Sequence, residues 1–471
     1  MSDMTFGPEL EDYYYEGDKG RYLCRDAHGA WMPITTRDLK LRLAQKGFDT
    51  EKAKGDLISM ADAMVLRIQQ ERYVVYAGPL AGYEIGRHEQ GGYNVLVTHQ
   101  RNVLQPVGVD WDVVKRIFVT PLIDECGYDQ SIHLFTWLKR ADEALNSPYR
   151  GGGSQSFTPG PALVLAGPKD CGKTLMCSVI RKLLGGRVGK PYRYMMGATS
   201  FNKELMGSEL LVIDDEISNT DLRTRRAFGY QIKNMLFAEN QSGHGKAKDA
   251  ITLYPFCRLM ILVNDEPESL LILPPVDDSL DDKIMMLKVC ENKESVRADT
   301  PAERAELNEV IDEQLPAFLG WLRYGFEVPK ECDAPRTGVY AFRHKALMET
   351  VNQLTPENKL MTLIDDALFS GNDHEDWQGT ANQLSKDLCE GPYKHDARAL
   401  LNWTNATGTY LGRLAKSHPD RFIYVKGRES RLWRVVAPEK RAEHTDRVVK
   451  DPLGLMQESM RRHREKMSER E

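Results

Sequence analysis

The chain predicts an α/β fold: a P-loop nucleotide-binding core on a parallel sheet, preceded by an N-terminal α+β region and followed by a C-terminal winged helix. Three observations predict the core. Gly167-Pro168-Lys169-Asp170-Cys171-Gly172-Lys173-Thr174 fits GxxxxGK[ST] and follows the apolar run Ala162–Ala166. Leu210-Leu211-Val212-Ile213 ends directly in Asp214-Asp215-Glu216. Leu259-Met260-Ile261-Leu262-Val263 runs straight into Asn264. Short, uninterrupted apolar runs of this kind suit strands buried on both faces, and chemistry then collects at their ends.

The glycine-rich stretch comes first. Gly167 and Gly172 permit the tight turn, and the backbone N–H groups of such a loop cradle phosphates at the start of a helix, here expected over Leu175–Leu184. Lys173 reaches the β- and γ-phosphates of a nucleoside triphosphate, and Thr174 presents its hydroxyl to Mg²⁺. A P-loop ATPase also needs one carboxylate at the metal and a second group to orient the attacking water. Asp214 stands at the metal position, Asp215 is the water-activating candidate, and Glu216 is its alternative. Asn264 is a neutral amide able to hydrogen-bond both the γ-phosphate and that water.

The order and spacing of these parts resemble the superfamily 3 helicases, most of all the helicase half of poxvirus-type and phage-type primase–helicases. The resemblance implies a compact AAA+ core using ATP and Mg²⁺, with Asn264 as its sensor residue. It also implies a basic hairpin between carboxylates and sensor, which the segment Asn240–Asp249 supplies. In the family this hairpin enters a ring's central channel and grips single-stranded nucleic acid, so Lys246, Lys248 and His244 are the expected contacts. Such backbone contacts are sequence-independent and sensitive to salt. A basic residue near Lys233, on the preceding helix, is expected to face a neighbouring subunit.

The chain departs from the family at one point. Relatives carry an arginine, often a pair, shortly after the sensor, whereas this stretch reads Asp281-Asp282-Lys283-Ile284-Met285-Met286. Lys283 can supply charge but lacks the planar fork of a guanidinium. Arg258 and the cluster Arg223, Arg225 and Arg226 are the other candidates for the group acting on a neighbour's nucleotide.

At 471 residues the chain should hold roughly two to four domains. A net charge of −6 means that nucleic-acid binding must rest on local patches. The eight cysteines form no CxxC pair and no metal-ligand spacing, as expected of free thiols in a reducing cytoplasm. Neither a signal-peptide pattern nor an apolar run of membrane-span length is present, so a cytoplasmic protein without a membrane partner is expected.

Composition shifts divide the chain. Residues 1–108 are aromatic-rich with short β-like runs, helical periodicity over Arg37–Gly47, and none of the paired carboxylates that a primase needs. They are expected to serve assembly or DNA engagement. Residues 109–150 read as helical, matching the family's collar, and residues 151–335 as the ATPase core closed by an amphipathic helix over 304–324. Residues 336–436 read as helices over 357–369, 381–388 and 407–417 and a strand pair over 421–425 and 431–435. This segment resembles the winged helices appended to phage-type helicases. Its recognition helix carries Arg413 and Lys416, and its wing Lys426, Arg428 and Arg431, suited to phosphate contacts. Residues 437–471 form a charged tail.

The combined reading is a ring-forming, nucleic-acid-dependent ATPase. The resemblance implies a hexameric 3′-to-5′ DNA helicase of a phage, plasmid or other mobile element, acting in replication on single-stranded or forked DNA. A separate primase or origin-binding protein is an expected partner. The alternative is an ATP-driven AAA+ scaffold or sensor, in a defence or regulatory complex, that unwinds nothing.

Overall fold

The computed structural model describes residues 10–108, 110–146, 149–151, 154–199, 202, 204–214, 222–238, 241–243, 251–275, 279–292, 296, 298–353, 355–369, 376–426 and 431–437. The chain divides into two compact units, Met1–Met348 and Glu349–Glu471.

The first unit is built on five strands: β1 (Ala162–Ala166), β2 (Val188–Gly189), β3 (Leu210–Asp214), β4 (Arg258–Val263) and β5 (Ile284–Lys288). They pair in parallel in the order β2-β3-β4-β1-β5. Every residue of β1 and β4 is buried, as a parallel strand covered on both faces requires. Helices α1 (Asp112–Val119), α2 (Ser131–Asn146), α3 (Lys173–Leu183), α4 (Leu222–Phe237) and α5 (Pro301–Tyr324) belong to the same unit. The start of α5 is specified locally by Thr300 and Glu303, which form a capping box, and by Pro301 in its first turn.

One apolar cluster joins Phe118 of α1, Leu134 and Trp137 of α2, Leu163 and Leu165 of β1, Ile180 of α3, and Phe318 and Leu322 of α5. Helices α1 and α2, from the segment expected as a collar ahead of the core, thus share the apolar cluster of the sheet. The polar contacts agree: the Trp137 indole donates to Pro161 O at 2.8 Å, and Arg323 of α5 grips Asp142 of α2 through bonds of 2.6 and 2.7 Å. Main-chain contacts with the sheet continue past the expected boundary at 335. Residues 339–344 run along the outer edge of β5, where Met286 N donates to Phe342 O at 2.8 Å and His344 N to Met286 O at 2.9 Å. This strap belongs with the sheet.

The N-terminal region holds two small sheets. One orders Trp31–Ile34, Arg21–Arg25, Tyr13–Glu16 and Tyr73–Val74; the other orders Tyr76–Gly78, Tyr93–Val97 and Gly86–Gln90. The helix expected over 37–47 is found at Thr36–Gln45, capped by Thr35 and Asp38. The second sheet shares its apolar core with Met206 and Leu253 from the ATPase half of the sequence.

The second unit contains α6 (Pro356–Leu368), β6 (Trp377–Thr380), α7 (Ala381–Glu390), α8 (Lys394–Leu400), α9 (Ala406–Ser417), β7 (Phe422–Lys426) and β8 (Arg431–Val435). Its antiparallel sheet has the order β6-β8-β7. Leu360, Leu384, Leu411, Phe422 and Val435 lie in its separate core. Strand β6 and helix α8 were not expected from the sequence.

Candidate functional site

Parallel pairing brings the chemistry to one edge. Ala166 at the end of β1 is level with Val263 and Lys288, and Asp214 at the end of β3 is level with Leu262. The C-terminal ends of β1, β3 and β4 therefore lie side by side. The site forms because three apolar strands end in register.

The loop from Gly167 to Gly172 follows β1. A Cβ at Gly167 would lie 2.0 Å from Val289 O, so only glycine allows the loop to pass under β5. Gly172 holds φ of 102°, in the left-handed region that favours glycine. Asp170 adopts φ of 62°. Lys173 then opens α3, and its side chain turns back over the loop. Its Nζ donates to Gly167 O and Pro168 O at 2.7 Å each and to Asn264 Oδ1 at 3.2 Å, and lies 3.8 Å from Cys171 Sγ. Three oxygen acceptors match the ammonium's three protons. Thr174, Lys169, Asp170 and Asp214 are exposed around this centre, and Pro168 is half-buried.

Two thiols report on the local electrostatics. Cys177, one turn beyond Lys173 on α3, has its pKa pushed up to about 12, first by burial and then by the negative charge of Asp214. Burial also raises the Cys171 thiol, against the opposing pull of Lys173, leaving a small, protonated side chain in the loop. All eight cysteines are free.

The structure adds residues that no motif indicated. Gln130 closes the end of β5 by donating to Lys288 O and accepting from Lys288 N, both at 2.9 Å. Lys288 pairs with Glu125 at 2.6 Å. Asp265 acts electrostatically on both Cys171 and Lys288. A buried glutamine far upstream carries no sequence signal. Asp265, directly after Asn264, could have been found by extending the third motif one residue.

Two candidate trans-acting residues are buried in this chain. Arg258 opens β4 and Lys283 precedes β5, so both stand at the sheet edge opposite the loop. Arg258 is 2% exposed and donates to Thr158 O and Cys257 O, and burial lowers its pKa to about 10. Lys283 is 4% exposed and paired with Asp282. Both charges are held by groups of the chain itself. Arg225 is likewise buried, with Nε donating to Leu273 O at 2.9 Å. Arg226, one residue on, is exposed; the side chain of Arg223 lies outside the described residues.

The arms of the basic hairpin pair antiparallel, Gln241 with Leu253, Ser242 with Thr252 and Gly243 with Ile251. Its tip residues His244, Lys246 and Lys248 lie outside the described residues, as do Asp215, Glu216, Arg428, the Lys426 side chain and the tail from 438. On α9, Lys416 is exposed, whereas Arg413 bonds Glu357 at 3.4 Å and lies over the Tyr410 ring. Among the described residues no cluster of histidine, cysteine and carboxylate side chains could hold a metal on its own, and no helix is long and apolar enough to cross a membrane.

Known proteins share parts of this arrangement. A model described as a family of unknown function (DUF5906) matches residues 165–279, the span from β1 to beyond β4. No curated protein sequence matches the chain. The structure is similar to the apo C-terminal region of NrS-1, with a TM-score of 0.50 at 12% identity, covering 90% of this chain and 95% of that one. The two share a fold. A looser likeness to JCV helicase has a TM-score of 0.27 at 12% identity, covering 53% of this chain and 60% of that one, too loose to bear on fold or function.

Proposed function

We propose that this chain is a nucleic-acid-dependent ATPase with an AAA+ P-loop core, acting as a ring-forming 3′-to-5′ DNA helicase of a mobile element, with polarity and hexameric assembly taken from the superfamily 3 resemblance. The observation that carries the reading is the contact of Lys173 with Asn264, which are 91 residues apart in sequence and 3.2 Å apart in space. A lysine opening a helix after a glycine loop, beside an amide at the tip of the next strand, is a phosphate site with a sensor.

The residues present fit ATP and Mg²⁺. At Gly167 a Cβ would collide with Val289 O, and at Gly172 the positive φ favours glycine. Lys173 is the phosphate cation, Thr174 and Asp214 are the metal-side ligands, and Asp215 or Glu216 is the water-orienting carboxylate. Bound ATP supplies the phosphoanhydride whose cleavage drives the cycle. The helix–strand order of the second unit and its β6-β8-β7 sheet support its reading as a winged helix. The paired hairpin arms support a nucleic-acid-gripping hairpin at 240–249.

The test is ATP hydrolysis with and without single-stranded DNA, alongside unwinding of a forked duplex. Stimulated turnover with unwinding supports the helicase. ATP-dependent oligomerisation with neither stimulation nor unwinding would reject it in favour of the scaffold or sensor.

A further inference from the structure

The structure assigns the small N-terminal sheet a positioning role: Gln90 and Tyr83 hold the return arm of the basic hairpin and fix its place relative to Asn264. The key residue is Tyr254, which directly follows the arm Ile251–Leu253. Both of its main-chain groups are taken by side chains from the N-terminal region. Its N–H donates to Gln90 Oε1 at 3.1 Å, and its carbonyl accepts from the Tyr83 hydroxyl at 3.0 Å. Gln90 and Tyr83 are each 1% exposed, and burial raises the Tyr83 pKa to about 12, keeping its hydroxyl a donor.

Packing and chain direction reinforce the grip. Leu253 is fully buried among Tyr76, Tyr83, Val95 and Val97. Two residues past Tyr254, Phe256 N donates to Ala81 O at 3.0 Å. The chain then enters β4 and ends at Asn264, beside Lys173. The hairpin arm and the sensor are thus two ends of one short, anchored segment. A main chain bonded on both sides by buried side chains transmits displacement without slipping, because each bond must break before the arm can shift.

The coupling of this anchor to nucleic-acid response rests on the proposed function; the anchor itself does not. The test uses the full chain with Gln90→Met, which keeps shape but removes the acceptor, and Tyr83→Phe, which removes the donor. Hydrogen exchange over residues 251–256 should accelerate in each, by roughly tenfold for loss of one buried hydrogen bond. Basal ATPase should be retained while the DNA concentration for half-maximal stimulation rises. Unchanged exchange in both Gln90→Met and Tyr83→Phe would overturn the assignment, as would a stimulation curve that does not move although exchange has risen. If the unaltered chain shows no DNA stimulation, the proposed function fails, and the exchange data alone still decide the anchor.

Discussion

The Lys173 ammonium donates to the Asn264 side-chain oxygen at 3.2 Å while also bonding two carbonyls of its own loop. The lysine is satisfied by protein acceptors; under the proposed function a nucleotide would exchange those bonds for phosphate oxygens, and Asn264 would register the exchange. Lys173→Ala should abolish hydrolysis and weaken nucleotide binding. Asn264→Ala should retain binding but lower turnover by roughly a hundredfold, the usual loss for one preorganised polar group. Fluorescent-nucleotide titration beside steady-state turnover separates the two; wild-type turnover in both variants would reject the site.

Gly167→Ala should damage loop and sheet together, because its methyl collides with the Val289 carbonyl. Overpacking at a rigid site costs about 1–3 kcal/mol. The denaturation midpoint should fall, and the stabilisation conferred by added ATP should disappear.

The exposed Arg226 and the buried Arg258 should behave differently. Arg258→Ala leaves the Thr158 and Cys257 carbonyls without their donor and should cost about 1–3 kcal/mol. Arg226→Ala should leave stability within about 0.5 kcal/mol, as at most surface sites. If Arg226 acts on a neighbour's nucleotide, mixing Arg226→Ala with Lys173→Ala subunits should restore part of the turnover. Absence of complementation would exclude it.

The hairpin's charge should matter only to nucleic acid. Replacing Lys246 and Lys248 by alanine should leave basal turnover intact and abolish single-strand stimulation. Losing two phosphate contacts should flatten the log–log salt dependence of binding by about 1.4. An unchanged slope would mean that the tip does not meet the strand.

His133 should make the first unit acid-sensitive. Its ring stacks on Phe342 and bonds the Tyr128 hydroxyl at 2.9 Å, and burial lowers its pKa from 6.5 to about 4, against the raising influence of Glu331 and Asp129. Between those values the unfolded chain takes up a proton that the folded chain refuses. Stability should therefore fall as pH drops through this window and be whole above it. Urea midpoints at pH values at the two ends of the window should differ more for the wild type than for His133→Asn.

Much of this arrangement was legible because it is local. The glycine-rich loop, the Asp214 strand and the Asn264 strand each announce themselves within a few consecutive residues, and the apolar runs mark buried parallel strands. Gln130, the 339–344 strap and the burial of Arg258 were not legible. Each depends on partners far away in sequence: Gln130 meets Lys288, Met286 meets Phe342, and Arg258 reaches back to Thr158. A charged residue at a strand start reads as exposed until its acceptors are known. Local patterning likewise marked residues 109–150 as helical but could not show that Phe118 and Trp137 share a core with β1.

The strap along β5 has a consequence for self-association. Parallel sheets end in two rows of unpaired main-chain groups, which invite strands from other molecules. Here one end is covered by the protein's own residues 339–344, and the other is β2, a strand of only two residues. Neither end offers a long ladder to a second copy. In the ring proposed above, subunits would then meet through side-chain surfaces rather than by extending this sheet, and such contacts would be free to loosen and re-form as nucleotide turns over.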